Sequence, residues 1–350
     1  MKRNISLDIL RILAIFFVIM AHVFEDAYNL PDLEHLSFSN VDAWSAYLGF
    51  TFGRLGVPIF LMLTGYFLVD RDWTQERISQ FYRNNLLKLF VTWELWIAIY
   101  FLYSRFYLHA NVDGGTYFQQ AFFVEPVNMP NAWYMPMILG IYLFLPHVSI
   151  TIKQMNSKIL IFMSVLLGIY LFLVPTINQT LLIFKLPAIS NQLDLSFSGG
   201  YYAMYVVLGY YMKKLKDQNF RLPWGLDVIV TIALIVMTAG YQVLAYRHGV
   251  SYNVWYDFIM LPLVSVFLFS LFNRLKIKVS GTKAIVDISN SSFGIFLIHY
   301  PIFVAMKYYL LPLHKNFGYL VLLSLIVYLV SLLIVYPLQK TRLGKWIFYK

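Results

Sequence analysis

Asp8, Arg11, His22 and Glu25 fall at spacings of 3, 11 and 3 within one apolar run near the N-terminus. Eleven residues at 100° each overshoot three helical turns by about 20°, so Arg11 and His22 share a helix face, roughly 16 Å apart along the axis. Asp8 and Glu25 flank them on that side at i, i+3 spacing. One face thus carries an acid–base pair toward each leaflet. A fixed guanidinium suits a phosphate or carboxylate. An imidazole can take a proton from a hydroxyl near neutral pH. The structural alternative is simple: Arg11 anchors the helix end by snorkelling beside Asp8, and His22 is an interfacial residue.

Other ionisable residues lie within apolar runs, where they are costly and usually functional. Arg54 stands just before Gly56 and Pro58. Glu94 lies in Trp93-Glu94-Leu95-Trp96, either as a site residue or as a protonated or Arg-paired acid holding two helices together. His299 lies two residues before Pro301, where a structural histidine bonding a carbonyl freed by the proline is the alternative. His147, after Pro146, reads as an interface residue, and Trp133-Tyr134 most simply as an aromatic anchor. Arg11 and His22 are the catalytic candidates; Asp8, Glu25, Arg54, Glu94, Trp133 and His299 are candidates for substrate binding. No metal site or bound cofactor is expected. With no cysteine there is no thiolate nucleophile or thiolate metal site. No phosphate-cradling Gly-rich loop, His-Glu-x-x-His or G-x-S-x-G occurs.

The elements that must position these residues are membrane spans. Of 350 residues 60% are hydrophobic and 13% charged, where a soluble chain has about a quarter charged. Lipid is the natural solvent for that excess. Runs of membrane-crossing length fall near 5–24, 44–69, 86–107, 133–150, 158–175, 198–213, 224–246, 254–272, 291–310 and 317–338. In lipid they must be helices, since every backbone polar group has to be paired internally. The loops alternate in charge. One side gathers 20 basic residues, from Lys2 and Arg3 to Lys345 and Lys350; the other has Arg105, Lys185, Arg247, Lys307 and Lys315. The first loop on that other side carries Glu25, Asp26, Asp32, Glu34 and Asp42. An even number of spans with both termini cytoplasmic follows. This topology, rather than nucleic-acid binding, accounts for the net charge of +10. Asp8 and Arg11 interrupt the first run and no small-residue cleavage site follows, so it reads as a retained span. The expected architecture is an all-α bundle of about ten transmembrane helices forming one domain over 1–350. The loop near 108–132 is expected to fold over the outer face.

Leu7-Asp8-Ile9-Leu10-Arg11, followed by ten residues and then His22, resembles the opening of the acyltransferase 3 family, whose hallmark is that Arg–His pair in the first span. Gly56-Val57-Pro58-Ile59-Phe60-Leu61-Met62-Leu63-Thr64-Gly65-Tyr66 looks like its second-span signature, with Thr64 where the family usually has Ser. Trp133-Tyr134 with Tyr142 and Pro146, Gly209-Tyr210, and Ser292 through Pro301 are similar to its later patterns. Arg83 and Lys88 match its basic stretch, but Val91 stands near a usual Pro. The resemblance covers nearly the whole chain.

It implies a membrane-bound O-acyltransferase with Arg11 and His22 as the essential pair. The donor would be an acyl-CoA, commonly acetyl-CoA, and the acceptor a hydroxyl of a surface or lipid-linked glycan. The location would be a cell membrane, that of the bacterial cytoplasm. In this scheme His22 is the base or the acyl carrier, Glu25 orients it, and Arg54 or His299 stabilises the oxyanion. The rival reading is a secondary transporter or flippase for a glycan or small anionic solute, which also has many spans and buried charges.

Overall fold

The computed structural model describes residues 3–30, 38–190, 193–220, 222–275, 282–311, 313 and 315–349. Regular structure among these residues is helical, with no strand. Helix α1 (Ile5–Ala27) forms the first predicted span, and α2 (Asn40–Arg54) with α3 (Gly56–Leu68) the second. The third is α4 (Gln75–Phe81), a π-helical turn and α5 (Leu87–Phe106). The short α6 (Gly114–Ala121) lies in the long loop, and α7 (Tyr134–Gln154) is the fourth span. The fifth joins α8 (Ser157–Gly168) and α9 (Val174–Ile183). Then come α10 (Gly200–Asp217), α11 (Trp224–Arg247), α12 (Met260–Arg274), α13 (Thr282–Leu310) and α14 (Phe317–Leu338), followed by α15 (Arg342–Ile347). All ten predicted spans therefore fall on helix. Among the described residues, eight helical columns are long and apolar enough to cross a bilayer. Helix α12 has only 15 residues, and α10 ends in Lys213, Lys214, Lys216 and Asp217.

Several boundaries differ from the expectation for physical reasons. The second span is two helices that meet at Leu55. Pro58 has no N–H, so the carbonyl of Arg54, four residues earlier, loses its helical donor and the helix breaks there. The third span starts at Gln75 because the Thr74 side chain caps it by accepting from the Arg77 N–H. The ninth starts at Thr282 rather than 291, which brings Ser289 onto the helix. The eighth starts at Met260, since 254–259 is irregular.

The helices around α1 approach at backbone distance. A Cβ on Gly53 would lie 2.5 Å from Ala21 Cα, and one on Gly56 2.5 Å from the Ala14 carbonyl oxygen. Between α3 and α10 the contact is reciprocal: a Cβ on Gly65 would overlap the Val206 carbonyl, and one on Gly209 the Met62 carbonyl. Small residues at such crossings let membrane helices touch. Here they seat α2 and α3 against α1 with Arg54 at the level of Ala21 and His22.

The loops sort into two ends. Arg3, Arg71, Lys213 and Tyr349 line one mouth. At the other end Lys307 pairs with Asp26 (2.8 Å), Arg247 donates to Asn40 (3.0 Å) and Asn253 donates to the Leu30 carbonyl (2.8 Å). Of the charges weighed for topology, Lys2, Asp32, Glu34, Arg221, Lys276, Lys278 and Lys350 lie outside the described residues.

Candidate active site

A cavity of about 870 Å³ runs beside α1 from the basic mouth. Arg3, Arg71, Lys213 and Lys216 stand at its opening, and Leu63, Phe67 and Ile138 form apolar walls. From α1 it is lined by Asn4, Leu7, Asp8, Arg11 and, deepest, Val18. From Asn4 to Val18 the helix climbs about 21 Å. Val57, Tyr134 and Phe296 also line it, and the rings of the last two meet at 5.1 Å. His22 stands one helical turn beyond Val18.

Asp8 is buried, and its chief partner is Arg3, whose Nε and Nη2 each donate to it at 2.8 Å. Ser289 Oγ donates to the same carboxylate at 2.8 Å. Arg11, the i, i+3 partner expected from spacing, is 3.8 Å from Asp8 and makes a long 3.4 Å bond to Ser289. With Asp8 largely satisfied by Arg3 and Ser289, the Arg11 guanidinium keeps most of its donors for the cavity, where its side chain is 29% exposed.

The second group lies above the cavity. His22 Nδ1 is 3.6 Å from Glu25, inside ion-pair range but too long for a hydrogen bond. Its ring centre is 5.5 Å from that of His299 and 5.3 Å from that of Tyr300. His299 is fully buried, with Nδ1 at 2.7 Å from the Phe296 carbonyl and 3.2 Å from the Ile295 carbonyl. A carbonyl only accepts, so Nδ1 carries a proton, while Nε2 has no partner. One expectation is corrected: His299 does not serve the carbonyl freed by Pro301, since that carbonyl, of Leu297, accepts from the Tyr100 hydroxyl. Asn131 donates to both the Tyr100 oxygen and the Phe296 carbonyl at 3.1 Å, so the loop before α7 reaches into the bundle rather than only covering it.

Arg54 is buried among rings. Its Cζ lies 4.4 Å from the Trp255 centroid, 4.5 Å from Phe50 and 5.4 Å from Tyr256. Trp133 joins this cluster, 5.8 Å from Trp255, 5.5 Å from Tyr256 and stacked on Tyr202 at 5.6 Å. It is thus part of an internal aromatic wall, not simply an interface anchor. Glu94 stands apart: it makes no ion pair among the described residues, lines neither cavity wall nor histidine pair, and its Oε1 has no hydrogen-bond partner. The Arg-paired tie between helices is not formed. His147 is exposed near Tyr82, 3.4 Å from its hydroxyl, as an interface residue would be.

Ser289, Asn131, Trp255 and Tyr256 were not singled out by the sequence. Ser289 fell just outside the expected ninth span, and the other three sit in loops whose packing no local pattern encodes.

The model of the acyltransferase 3 family, described as an acyltransferase domain, matches residues 4–336, which include both groups. Neither the comparison with curated proteins nor that with solved structures gave a match. With the match spanning nearly its whole length, the chain belongs to the acyltransferase 3 family of membrane acyltransferases.

Proposed function

We propose that the protein transfers an acyl group, acetyl from acetyl-CoA first among them, to a hydroxyl of a cell-surface or lipid-linked glycan. The observation that carries this reading is the basic-mouthed cavity that passes Arg11 and ends at Val18, one turn short of His22. Its shape suits a donor with phosphates at one end and a thioester at the end of a long arm. Arg3, Arg71 and Lys216 attract the phosphates at the mouth. Arg11 binds the donor on its way in, with the fork of donors that Asp8 leaves free. The basic end then faces the cytoplasm, where acyl-CoA is made, and the membrane is a bacterial cytoplasmic one.

At the upper end His22 removes the proton of the acceptor hydroxyl. The acceptor oxygen attacks the thioester carbonyl, the C–O ester bond forms, the C–S bond breaks, and the proton passes to the leaving thiolate. In the covalent version His22 first carries the acyl group itself. Glu25 stabilises the imidazolium that develops, closing on it from 3.6 Å. Family membership favours transfer over the transporter reading.

The test is ester-linked acyl content of surface glycans, by NMR before and after mild base, in cells with the intact chain, with His22→Ala, and with no copy. Acetyl signals confined to the intact chain are expected. Equal signals in all three contradict the proposal, and unchanged acylation with altered glycan export favours transport.

A further inference from the structure

Arg54 is the buried cation that the donor path does not use. It is only 8% exposed. No carboxylate lies in ion-pair range of it among the described residues; Glu25 pairs with His22 instead. Its Nη1 makes one long bond, 3.4 Å to the Tyr256 hydroxyl, and its Nε has no partner. Cation–π contacts with Phe50 and Trp255 engage its charge but none of its in-plane donors. A buried, uncompensated guanidinium is costly, and a bound anion is what removes that cost. Two parallel N–H donors match a carboxylate or a phosphate.

The surroundings narrow the ligand. Trp133, Tyr202 and Trp255 are half-buried rather than sealed, and with Tyr256 they offer ring faces around the guanidinium. They come from the start of α7, the start of α10 and the segment before α12, all at the end away from the donor's mouth. Rings of this kind pack on the apolar faces of sugars, and Trp255 holds its edge by donating to the Tyr201 hydroxyl at 3.0 Å. The contact of Gly53 on Ala21 sets Arg54 at the depth of His22.

We infer that Arg54, Trp133, Trp255 and Tyr256 form the acceptor subsite, and that it takes an acidic sugar, one bearing a carboxylate or phosphate near the hydroxyl to be acylated. This rests on the glycan-acceptor reading above. The rings hold the sugar, and Arg54 grips its acidic group while the hydroxyl is offered to His22.

The experiment uses the purified full chain in detergent. Methyl glucuronide, glucose 1-phosphate and methyl glucoside are titrated while intrinsic tryptophan fluorescence is followed, and each is then offered as acceptor with acetyl-CoA while thiol release is measured. At least one acidic sugar is expected to saturate at a concentration tenfold or more below that of methyl glucoside, and which one does so separates carboxylate from phosphate. Arg54→Gln removes that advantage, and Arg54→Lys, the safer variant for folding, keeps part of it. Equal midpoints for acidic and neutral sugars, or an undiminished preference in a folded Arg54→Gln protein, overturn the subsite. So does Arg54→Gln lowering kcat with the acceptor KM unchanged, which would put Arg54 on the reacting carbonyl. Efficient transfer to methyl glucoside with no acid preference defeats the subsite and leaves transfer standing. Arg54-dependent binding with no thiol release supports the subsite and defeats transfer.

Discussion

Arg11 and His22 stand on one face of one helix, yet their surroundings are opposite in kind. Around Arg11 the polar groups are mutually satisfied and open to a basic-mouthed cavity: Arg3, Asp8 and Ser289 form a closed set of bonds at 2.8 Å. Around His22 the groups are buried in aromatic surroundings and left short of partners. His22 Nδ1, His299 Nε2 and Arg54 Nε all lack a hydrogen bond. Buried polar atoms without partners are expensive and rare. The cavity side also holds such an atom, Ser292 Oγ, but only in the upper group do the unpartnered atoms belong to histidine and arginine side chains. On the function proposed above, the lower group binds the donor and the upper group reacts.

The largest effect that would sharpen this contrast is on transfer rate. His22→Ala is expected to lower kcat by about 10²–10⁴-fold, the usual contribution of a general base. Arg11→Ala is expected to act mainly on donor KM, by about 10–100-fold for a charged hydrogen bond of 1.5–3 kcal/mol. Arg11→Lys restores only part, because an ammonium lacks the planar fork. Initial rates over a range of acetyl-CoA concentrations separate the two.

Stability should divide along the same line. Tyr100→Phe strips a buried hydroxyl that serves the Leu297 carbonyl and Asn131. A loss of about 1–3 kcal/mol is expected, since those groups are left unsatisfied, and thermal unfolding in detergent would show it. Ser289→Ala, at the cavity's edge, removes a comparable bond to Asp8. Its loss should be about 1 kcal/mol or less, because water in the cavity can replace the hydroxyl. Equal losses at the two sites would break the comparison.

The smallest effect concerns the mouth. Burial pushes the Asp70 carboxyl up, but hydrogen bonds and charge from Lys213 (2.9 Å) and Lys214 (3.0 Å) outweigh it and hold it below the usual carboxylate range. The pair's contribution is therefore complete above the unfolded value of about 3.9 and is lost as pH falls through the lower folded one. Asp70→Asn should remove that part of the acid dependence of unfolding.

The bundle was legible in the sequence because lipid admits few alternatives: each expected span falls on helix, eight of the described helical columns being long and apolar enough to cross a bilayer, and the α1 face put Asp8 with Arg11 and His22 with Glu25. The partners from other helices were not. Spacing could pair Asp8 with Arg11 but could not see that Arg3, from outside the helix, and Ser289, from α13, take the carboxylate first. Pro301 announced a freed carbonyl, but only packing shows that Tyr100 answers it while α13 runs on through the proline. Glu94 and Arg54 looked alike as lone charges within spans; tertiary contact sets one among aromatic rings beside the histidines and leaves the other aside.

The central claim, that Arg11 binds the donor and His22 carries out the transfer, is tested most directly by measuring the two steps separately. Binding of a non-hydrolysable acetyl-CoA analogue would be titrated calorimetrically against the purified chain, His22→Ala and Arg11→Ala, alongside transfer by the same preparations. The account predicts that His22→Ala binds the analogue as the intact chain does yet transfers nothing, while Arg11→Ala binds it at least tenfold more weakly. Transfer surviving in His22→Ala, or analogue binding lost there and kept in Arg11→Ala, would contradict it.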